Sequence, residues 1–364
     1  MEQNHNPNRP QRRSPVARNR RLQGQYLSWL LIGAVALFLI MGLITKDRDF
    51  SESENRKLAS FPELTLASVT DGSYTFYIRT DGVLSSMKPV WQTLSYPEDA
   101  KDGRPAKGLC ACCCRISITV PAGKNVKRSI VFSMEEKTNS AEWLLNAYRE
   151  RRQELEAGSG FVDPVARQLA VSADAFISDR ESTGGKTILA GFPFFEDWGR
   201  DTMIAMAGCC ISTRQYGDAK SILRTFKQYC KDGLIPNLFP EGGNEPQYNT
   251  VDAALLFINA VYLYYKKRGD QELVEEMWDC MTEIIENYQN GTLYGIHMDE
   301  DGLIMAGQGL DQVTWMDVRV GEILPTPRHG KPVEINAYWY NALCIMQEFA
   351  RVLHKDADYR NLIA

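Results

Sequence analysis

The chain has 364 residues, with 41 Lys and Arg against 46 Asp and Glu, a net charge of −5, and apolar residues make up 44% of it. These values exclude a disordered, collagen-like or disulfide-scaffold chain, and they give no reason to expect nucleic acid as a partner. The length allows about two to three domains.

The N-terminal segment predicts a membrane anchor. Residues 1–25 hold six arginines against one acid, Glu2, and residues 26–44 (YLSWLLIGAVALFLIMGLI) carry no charge. A helix of this length crosses about 30 Å of hydrocarbon. The basic residues then predict a cytoplasmic tail, 1–25, and a single-pass protein anchored in the lipid bilayer with its body outside. A cleaved signal peptide is disfavoured because the apolar run is long and no small-residue cleavage site follows it.

Residues 45–75 are polar, with isolated apolar residues, and predict a juxtamembrane linker. Within them, DFSESENRKLASFPELTLASVTDGSY (49–74) resembles the start of the bacterial DHHW family of membrane-anchored proteins. The Asp-His-His-Trp signature that names this family does not occur in the chain, so the resemblance carries no function over.

Residues 76–137 predict a β-rich domain fragment. Within it, RISITV (115–120) and SIVFSM (129–134) flank the turn sequence PAGK and predict a hairpin. The nine cysteines are odd in number and irregular in spacing, and CACCC (110–114) lacks a second cysteine pair to complete a zinc site. We therefore expect neither a disulfide framework nor a metal or other cofactor.

The rest of the chain predicts helices. Residues 138–159 form a charged linker helix, and from residue 160 onward amphipathic stripes such as 216–230 and 273–288 flank a run, 253–265, that is apolar nearly all round. A helix that is apolar on every side is buried on every side. Amphipathic helices alternating with a buried one predict a mainly helical fold of the α/α-toroid kind.

Three loops between these helices concentrate aromatic and polar residues, which indicates a site rather than a core. For Arg200 and Asp201 a structural interpretation stays open, with Asp201 as a helix N-cap and Arg200 paired to a carboxylate. Asp252, in the first turn of a helix that Thr250 can cap, also has a helix-dipole explanation. The candidates are Trp198, Arg200 and Asp201 in the first loop (191–208); Asn237, Tyr248, Asn249 and Asp252 in the second (233–257); and Trp315, Asp317, Arg328, Glu334 and Trp339 in the third (309–343).

At these loops the chain resembles the amylo-α-1,6-glucosidase domain of glycogen debranching enzymes. The matching strings are PFFEDWGRDTMIAMAG, GLIPNLFPEGGNEPQYNTVDAALLFINAVY and TWMD followed by PTPRHGKPVEINAYWYNAL. The resemblance covers residues 160–364 and implies the N-terminal half of an (α/α)6 barrel, preceded by a fragment of a β-sandwich domain. It also implies hydrolysis of the α-1,6-linked glucose at branch points of glycogen or a limit dextrin.

The resemblance assigns roles to the loop residues. It makes Asp317 the general acid, and Trp198, Arg200 and Asp201 match the Trp-x-Arg-Asp motif that grips the terminal glucose. Tyr248, Asn249, Asp252, Glu334 and Trp339 line the same pocket. An inverting glycosidase also needs a base. In the family the base lies well downstream of the acid, so we expect this chain to be truncated and to lack it.

Two alternatives stay open at this stage. One is a membrane-anchored carbohydrate-binding protein without catalysis, or the product of a mis-joined gene, since the two resemblances meet near residues 75–76. In a mis-joined product the body would be cytoplasmic, where glycogen is found. The other alternative, a different α/α-toroid enzyme, is disfavoured by the third-loop strings.

Overall fold

The computed structural model describes residues 54–58, 61–71, 74–101, 105–136, 139–191, 196–240 and 245–364. The predicted basic tail 1–25 and transmembrane helix 26–44 lie outside these ranges. Within them, every helix is too short or too polar to cross a membrane. The described residues divide into two compact units, one up to Arg151 and one from Arg152 onward.

The first unit is built of β-strands. A four-stranded antiparallel sheet has the order β1-β2-β3-β6, and β4 and β5 form a separate antiparallel pair. The strand bounds are β1 Glu54–Leu58, β2 Phe61–Asp71, β3 Tyr74–Thr80, β4 Val83–Ser95, β5 Lys107–Ser117 and β6 Ile130–Ser133, with the short helix α1 at Pro97–Lys101.

Two predictions for this unit are wrong. The segment 45–75 is not only a linker, since β1 and β2 pair with each other inside it; Thr65, Val69 and Thr70 supply the β-branched residues that favour strands. The predicted hairpin of 115–120 with 129–134 does not form either. Strand β5 pairs with β4 and β6 pairs with β3, so the two segments belong to different sheets, although Lys124 N still donates to Pro121 O (3.1 Å) in the turn.

Helix α2 (Ala141–Ser159) agrees with the predicted linker helix and contains the division between the units. The second unit is mainly helical, as predicted, whereas closure into a toroid stays a prediction. Its longer helices are α3 Pro164–Asp174, α4 Gly199–Met206, α5 Tyr216–Gln228, α6 Ala253–Arg268, α7 Gln271–Asn290 and α8 Val333–Val352, with a final turn α9 at Arg360–Ile363.

Short elements connect these helices. A π-helical segment, Ala207–Ser212, continues α4, and a 3-10 turn, Leu293–Gly295, follows α7. Three two-stranded pairs complete the unit: β7 Ile177–Arg180 with β8 Gly185–Ile188, β9 Asp197–Trp198 with β10 Leu238–Phe239, and β11 His297–Met298 with β12 Ile304–Met305.

The core of the second unit is centred on α6, as its sequence predicts. Residues 253–258 of this helix are all buried, including Phe257 and Ile258 with no exposed surface. Helices α5 and α7 bury one face each, which confirms the amphipathic stripes read from the sequence. The three polar loops begin or end at these packed helices, so a rigid scaffold holds them.

Candidate active site

The first loop is joined to the second by a short ladder. Strand β9 pairs with β10, placing Trp198 opposite Leu238, and Gly199 N donates to Asn237 O at 2.7 Å. A Cβ on Gly199 would overlap the carbonyl oxygen of Pro236. Glycine is therefore required where α4 begins, because the second loop approaches its backbone directly.

Arg200 connects residues from all three loops. Its Nε donates to Asp252 Oδ2 at 2.7 Å, and its Nη1 lies 3.5 Å from Asp317 Oδ2. Asp252 is buried, and its other oxygen accepts from Thr250 Oγ1 at 2.5 Å. The structural interpretation of Arg200 as a partner of carboxylates is thus correct, and those partners are two of the predicted site residues.

The third loop is fixed to the second just before both carboxylates. Val251 N donates to Val313 O at 2.8 Å, one residue before Asp252 and four before Asp317. The side chain of Asp317 keeps 35% of its surface exposed, whereas that of Asp252 keeps 3%. Asp317 is therefore the carboxylate of the pair that a ligand from solvent can reach.

Asp201 lies in the first turn of α4 and is exposed. It is not the N-cap, which is Trp198, so that alternative is wrong. Partial burial of its carboxyl group raises the pKa of Asp201, and the carboxylates of Asp252 and Asp317 raise it further, while Arg200 opposes them. Three carboxyl groups and one guanidinium thus influence one another here.

Three side-chain oxygens near the cluster are buried and accept no hydrogen bond from any described residue. They are Asn237 Oδ1, Asn249 Oδ1 and Glu334 Oε1. The other oxygen of Glu334 accepts from Arg328 Nη2 at 2.5 Å, and Arg328 also contacts Met316 Sδ at 3.9 Å, next to Asp317. These oxygens are closed to solvent, so the hydroxyl groups of a ligand do not reach them in this structure.

The aromatic candidates have different environments. Trp198 is half-buried and Trp315 is 53% exposed, so both can present ring surface. Tyr248 donates its hydroxyl to Tyr229 O at 2.9 Å, which ties the second loop to the end of α5.

Trp339 lies in the core of the second unit, and its predicted place in the lining of the pocket stays a prediction. This residue is 2% exposed, stacks on Tyr288 with ring centroids 6.1 Å apart, and donates its indole N–H to Gly302 O. Its position four residues from both Ile335 and Leu343, which are buried too, places it on the core face of α8.

A buried ion pair that the sequence does not predict lies beneath the loops. Arg180 Nη1 lies 3.1 Å from Asp197 Oδ2, which also accepts from Thr187 Oγ1 at 2.5 Å, while Thr202 Oγ1 lies 3.2 Å from Asp197 Oδ1. Burial raises the pKa of Asp197 to about 6, against the opposing effect of Thr187 and Arg180. Arg180 follows Asp179 and Asp197 follows Glu196 in the chain, so no local pattern in the sequence indicates this pair.

The arrangement combines an accessible carboxylate and a guanidinium held between two acids at one set of loops. These groups can bind hydroxyls and can move a proton at Asp317. Among the described residues, no group of three or more His, Cys, Asp or Glu side chains could hold a metal ion.

Comparison with known proteins defines the class. A family model described as amylo-alpha-1,6-glucosidase matches residues 171–364, which is more than half of the chain and includes all three loops described above. This match defines the class of the protein, which is that of the glycoside hydrolases. The chain belongs to the amylo-alpha-1,6-glucosidase family. The match does not reach residues 26–75, where the DHHW resemblance stays a prediction.

A curated relative agrees with the family. The glycogen debranching enzyme of Saccharomyces cerevisiae is 29% identical over 244 residues, which is 49% of this chain and 16% of the yeast protein. The chain therefore spans only a small part of that relative.

Solved structures of low similarity include two rhamnosidases. The GH78 family rhamnosidase of Bacillus sp. GL1 shares 10% identity at a TM-score of 0.41, covering 86% of this chain and 32% of that one. The α-L-rhamnosidase of Dictyoglumus thermophilum shares 12% identity at 0.39, covering 86% and 36%. Scores this low do not establish a common fold.

Proposed function

We propose that the three loops bind a terminal glucose of a branched α-glucan, such as glycogen or a limit dextrin, and that Asp317 is the general acid for hydrolysis of its α-1,6 linkage. The observation that carries the proposal is the position of Arg200, which contacts Asp252 from the second loop and Asp317 from the third. Asp201 and the half-buried Trp198 lie beside it in the chain.

The contacts of Arg200 support different roles for Asp252 and Asp317. Arg200 makes its shorter contact with Asp252, and both oxygens of Asp252 are engaged, so this pair serves binding and orientation. Asp317 is more exposed and makes the longer contact with Arg200. It can therefore deliver a proton to the glycosidic oxygen as the bond to the leaving sugar breaks.

The reaction we propose proceeds by inversion and needs a second carboxylate. That group lies about 6.5–9.5 Å from the acid and activates a water molecule. Asp252 is held by Arg200 and Thr250, and Glu334 by Arg328, which favours binding roles for both. We propose that none of the residues that the structure describes serves as this base, so that the 364-residue chain is expected to bind the sugar without turning it over. The (α/α)6 toroid is part of the same proposal.

The test measures binding and turnover separately with the 364-residue chain. Isothermal titration with isomaltose, an α-1,6-linked disaccharide, is expected to show binding that Arg200→Met abolishes. Glucose release from a limit dextrin is expected to be absent. The matched control is Arg224→Met, because Arg224 forms an ion pair with Glu276 at 2.8 Å on the exposed faces of α5 and α7, away from the loops.

The outcomes test the sugar-binding site and the absence of the base separately. Absence of binding by the unaltered chain, or equal loss in the Arg200 and Arg224 variants, contradicts the sugar site. Glucose release that Asp317→Asn abolishes supports Asp317 as the acid and contradicts the missing base.

A further inference from the structure

The ion pair of Arg180 and Asp197 has no part in the proposed chemistry, yet it lies directly beneath the site. Both side chains are 3% exposed. A charge at this depth is costly unless it is paired and hydrogen-bonded, so the contacts of this pair indicate what it holds together.

Arg180 reaches across to the second loop. Its Nη1 donates to Phe239 O and its Nη2 to Pro240 O, both at 2.9 Å, and its guanidinium carbon lies 3.5 Å from the centre of the Phe239 ring. With Asp197 as its third partner, one guanidinium connects three elements: β7, which carries it, β9 with Asp197, and the end of β10.

The strands that it joins are too short to be stable alone. The ladder between β9 and β10 has only two residue pairs, Leu238 with Trp198 and Phe239 with Asp197. Isolated two-stranded ladders are marginal even at greater length. Asp197 is held from the other side by Thr187 on β8 and Thr202 on α4, so the pair connects this ladder to a packed hairpin and helix.

The side chains of the site extend from this ladder on both sides. Trp198 is in β9 and Arg200 follows it, while Asn237 precedes β10. Any change in the spacing of the two strands therefore changes the spacing between the first-loop and second-loop groups, and a shift of about 1 Å is enough to impair a binding site.

We propose that Arg180 is a positioning residue of this site: by pairing with Asp197 and with the carbonyl groups of Phe239 and Pro240, it sets the separation of the first and second loops. That the groups on these two loops bind a sugar rests on the proposed function. The positioning of the loops by Arg180 does not rest on it, and this positioning can be measured without a ligand.

The first readout is hydrogen exchange of backbone amides, followed by mass spectrometry of the 364-residue chain. Gly199 N donates to Asn237 O and Asn237 N to Gln247 O, each at 2.7 Å, so these amides report the junction of the loops. In Arg180→Lys, an ammonium group replaces the planar guanidinium and cannot donate hydrogen bonds to Asp197 and both carbonyl groups at once. Exchange in residues 197–200 and 236–240 is expected to rise by about tenfold or more, with residues 277–285 of α7 unchanged.

The second readout is the dissociation constant for isomaltose, which is expected to rise in parallel. The double variant Arg180→Met with Asp197→Asn removes both charges, avoids an unpaired buried carboxylate, and should show the same local exchange if Arg180→Met alone does not fold. The matched control is Lys186→Met, which removes the 2.7 Å ion pair with Asp179 in the same hairpin but does not touch β10.

The positioning role is supported if exchange at 197–200 and 236–240 increases in the Arg180 variants and stays unchanged in the Lys186 variant. Unchanged exchange at 197–200 and 236–240 overturns it, and so does an equal rise in α7, which would make Arg180 a general contributor to stability. If the unaltered chain fails to bind isomaltose, the proposed function fails while the exchange data still decide whether Arg180 positions the loops.

Discussion

At the scale of single residues, Gly199 shows how closely the site loops approach each other. The space a side chain would need is occupied by the Pro236 carbonyl group, and the neighbouring Phe226 ring lies 3.4 Å from the position of the added carbon. Since a backbone carbonyl group cannot rotate away as a side chain can, the backbone itself would have to move.

We expect Gly199→Ala to destabilise the chain by about 1–3 kcal/mol, the usual cost of overpacking, and to weaken isomaltose binding. Urea denaturation and titration calorimetry measure the two effects. The control is Gly217→Ala in the first turn of α5, where an added Cβ meets nothing within 4 Å, so stability should stay the same or rise slightly. Equal effects of the two substitutions would show that the contact with Pro236 is unimportant.

Asp197 makes stability depend on pH in an identifiable window. Its pKa is raised from 3.8 to about 6 in the folded chain. The folded state therefore binds the proton more tightly than the unfolded state, and the stability this adds is complete below pH 4 and is lost as the pH rises through 6. The difference in pKa corresponds to something on the order of 3 kcal/mol.

Relative to Asp197→Asn, which does not titrate, the free energy of unfolding of the unaltered chain is expected to fall by that amount between pH 4 and pH 7. Urea denaturation at both pH values gives the comparison. Asp279→Asn, at an exposed position of α7, serves as the control and should follow the unaltered chain. A constant difference between the Asp197 variant and the unaltered chain would contradict the raised pKa.

The sequence predicts which residues belong to the site better than it predicts which groups they contact. Arg200, Asp252 and Asp317 are found together, as expected from their loops. Trp339 follows a polar loop, yet its i, i+4 spacing to Ile335 places it on the core face of α8. The role of Arg180 could not be predicted because two of its partners are backbone carbonyl groups some 60 residues away, and no local pattern indicates them.

At the scale of elements, α6 determines the arrangement of the others. Its first six residues are buried on all sides, so it must be surrounded by other parts of the chain, and the second loop enters it directly at Asp252. A substitution that disrupts the packing of α6 is therefore expected to alter the site as well as the core.

We expect Phe257→Ala to destabilise the chain by about 3–5 kcal/mol, because it removes a fully buried ring and leaves a cavity. Thermal and urea unfolding measure the loss. Ile204→Ala on α4, where the side chain is 57% exposed, is the control and should change stability by no more than about 0.5 kcal/mol. Similar losses for both would mean that α6 is not the centre of the core.

Helices were predicted well because periodicity over several turns averages out local exceptions. The strands of the first unit were predicted less well, since a run such as 115–120 has strand character but does not say which strand it pairs with. The two-residue strands β9 and β10 and the π-helical segment have no sequence signal of their own; tertiary contacts create them.

At the scale of the whole molecule, every group of the candidate site lies in the second unit. The positions run from Arg180 to Glu334, within the residues matched by the family model and within residues 152–364. The site therefore depends on the packing of one unit.

A fragment of residues 140–364, which keeps α2 whole, is expected to unfold cooperatively and to bind isomaltose with the affinity of the full chain. Thermal unfolding and titration calorimetry of both proteins provide the check. A fragment that folds but binds more than about tenfold more weakly would show that the first unit contributes to the site.

The cluster around Arg200 has an electrostatic consequence. One positive charge faces up to three negative charges, those of Asp201, Asp252 and Asp317, so the site is an anionic patch when all are ionised. Such a patch attracts a cation from solution, and dissolved salt weakens that attraction. A glucose-shaped ligand with a protonated amine in its ring therefore gains a salt-sensitive contribution to its affinity that a neutral sugar does not have.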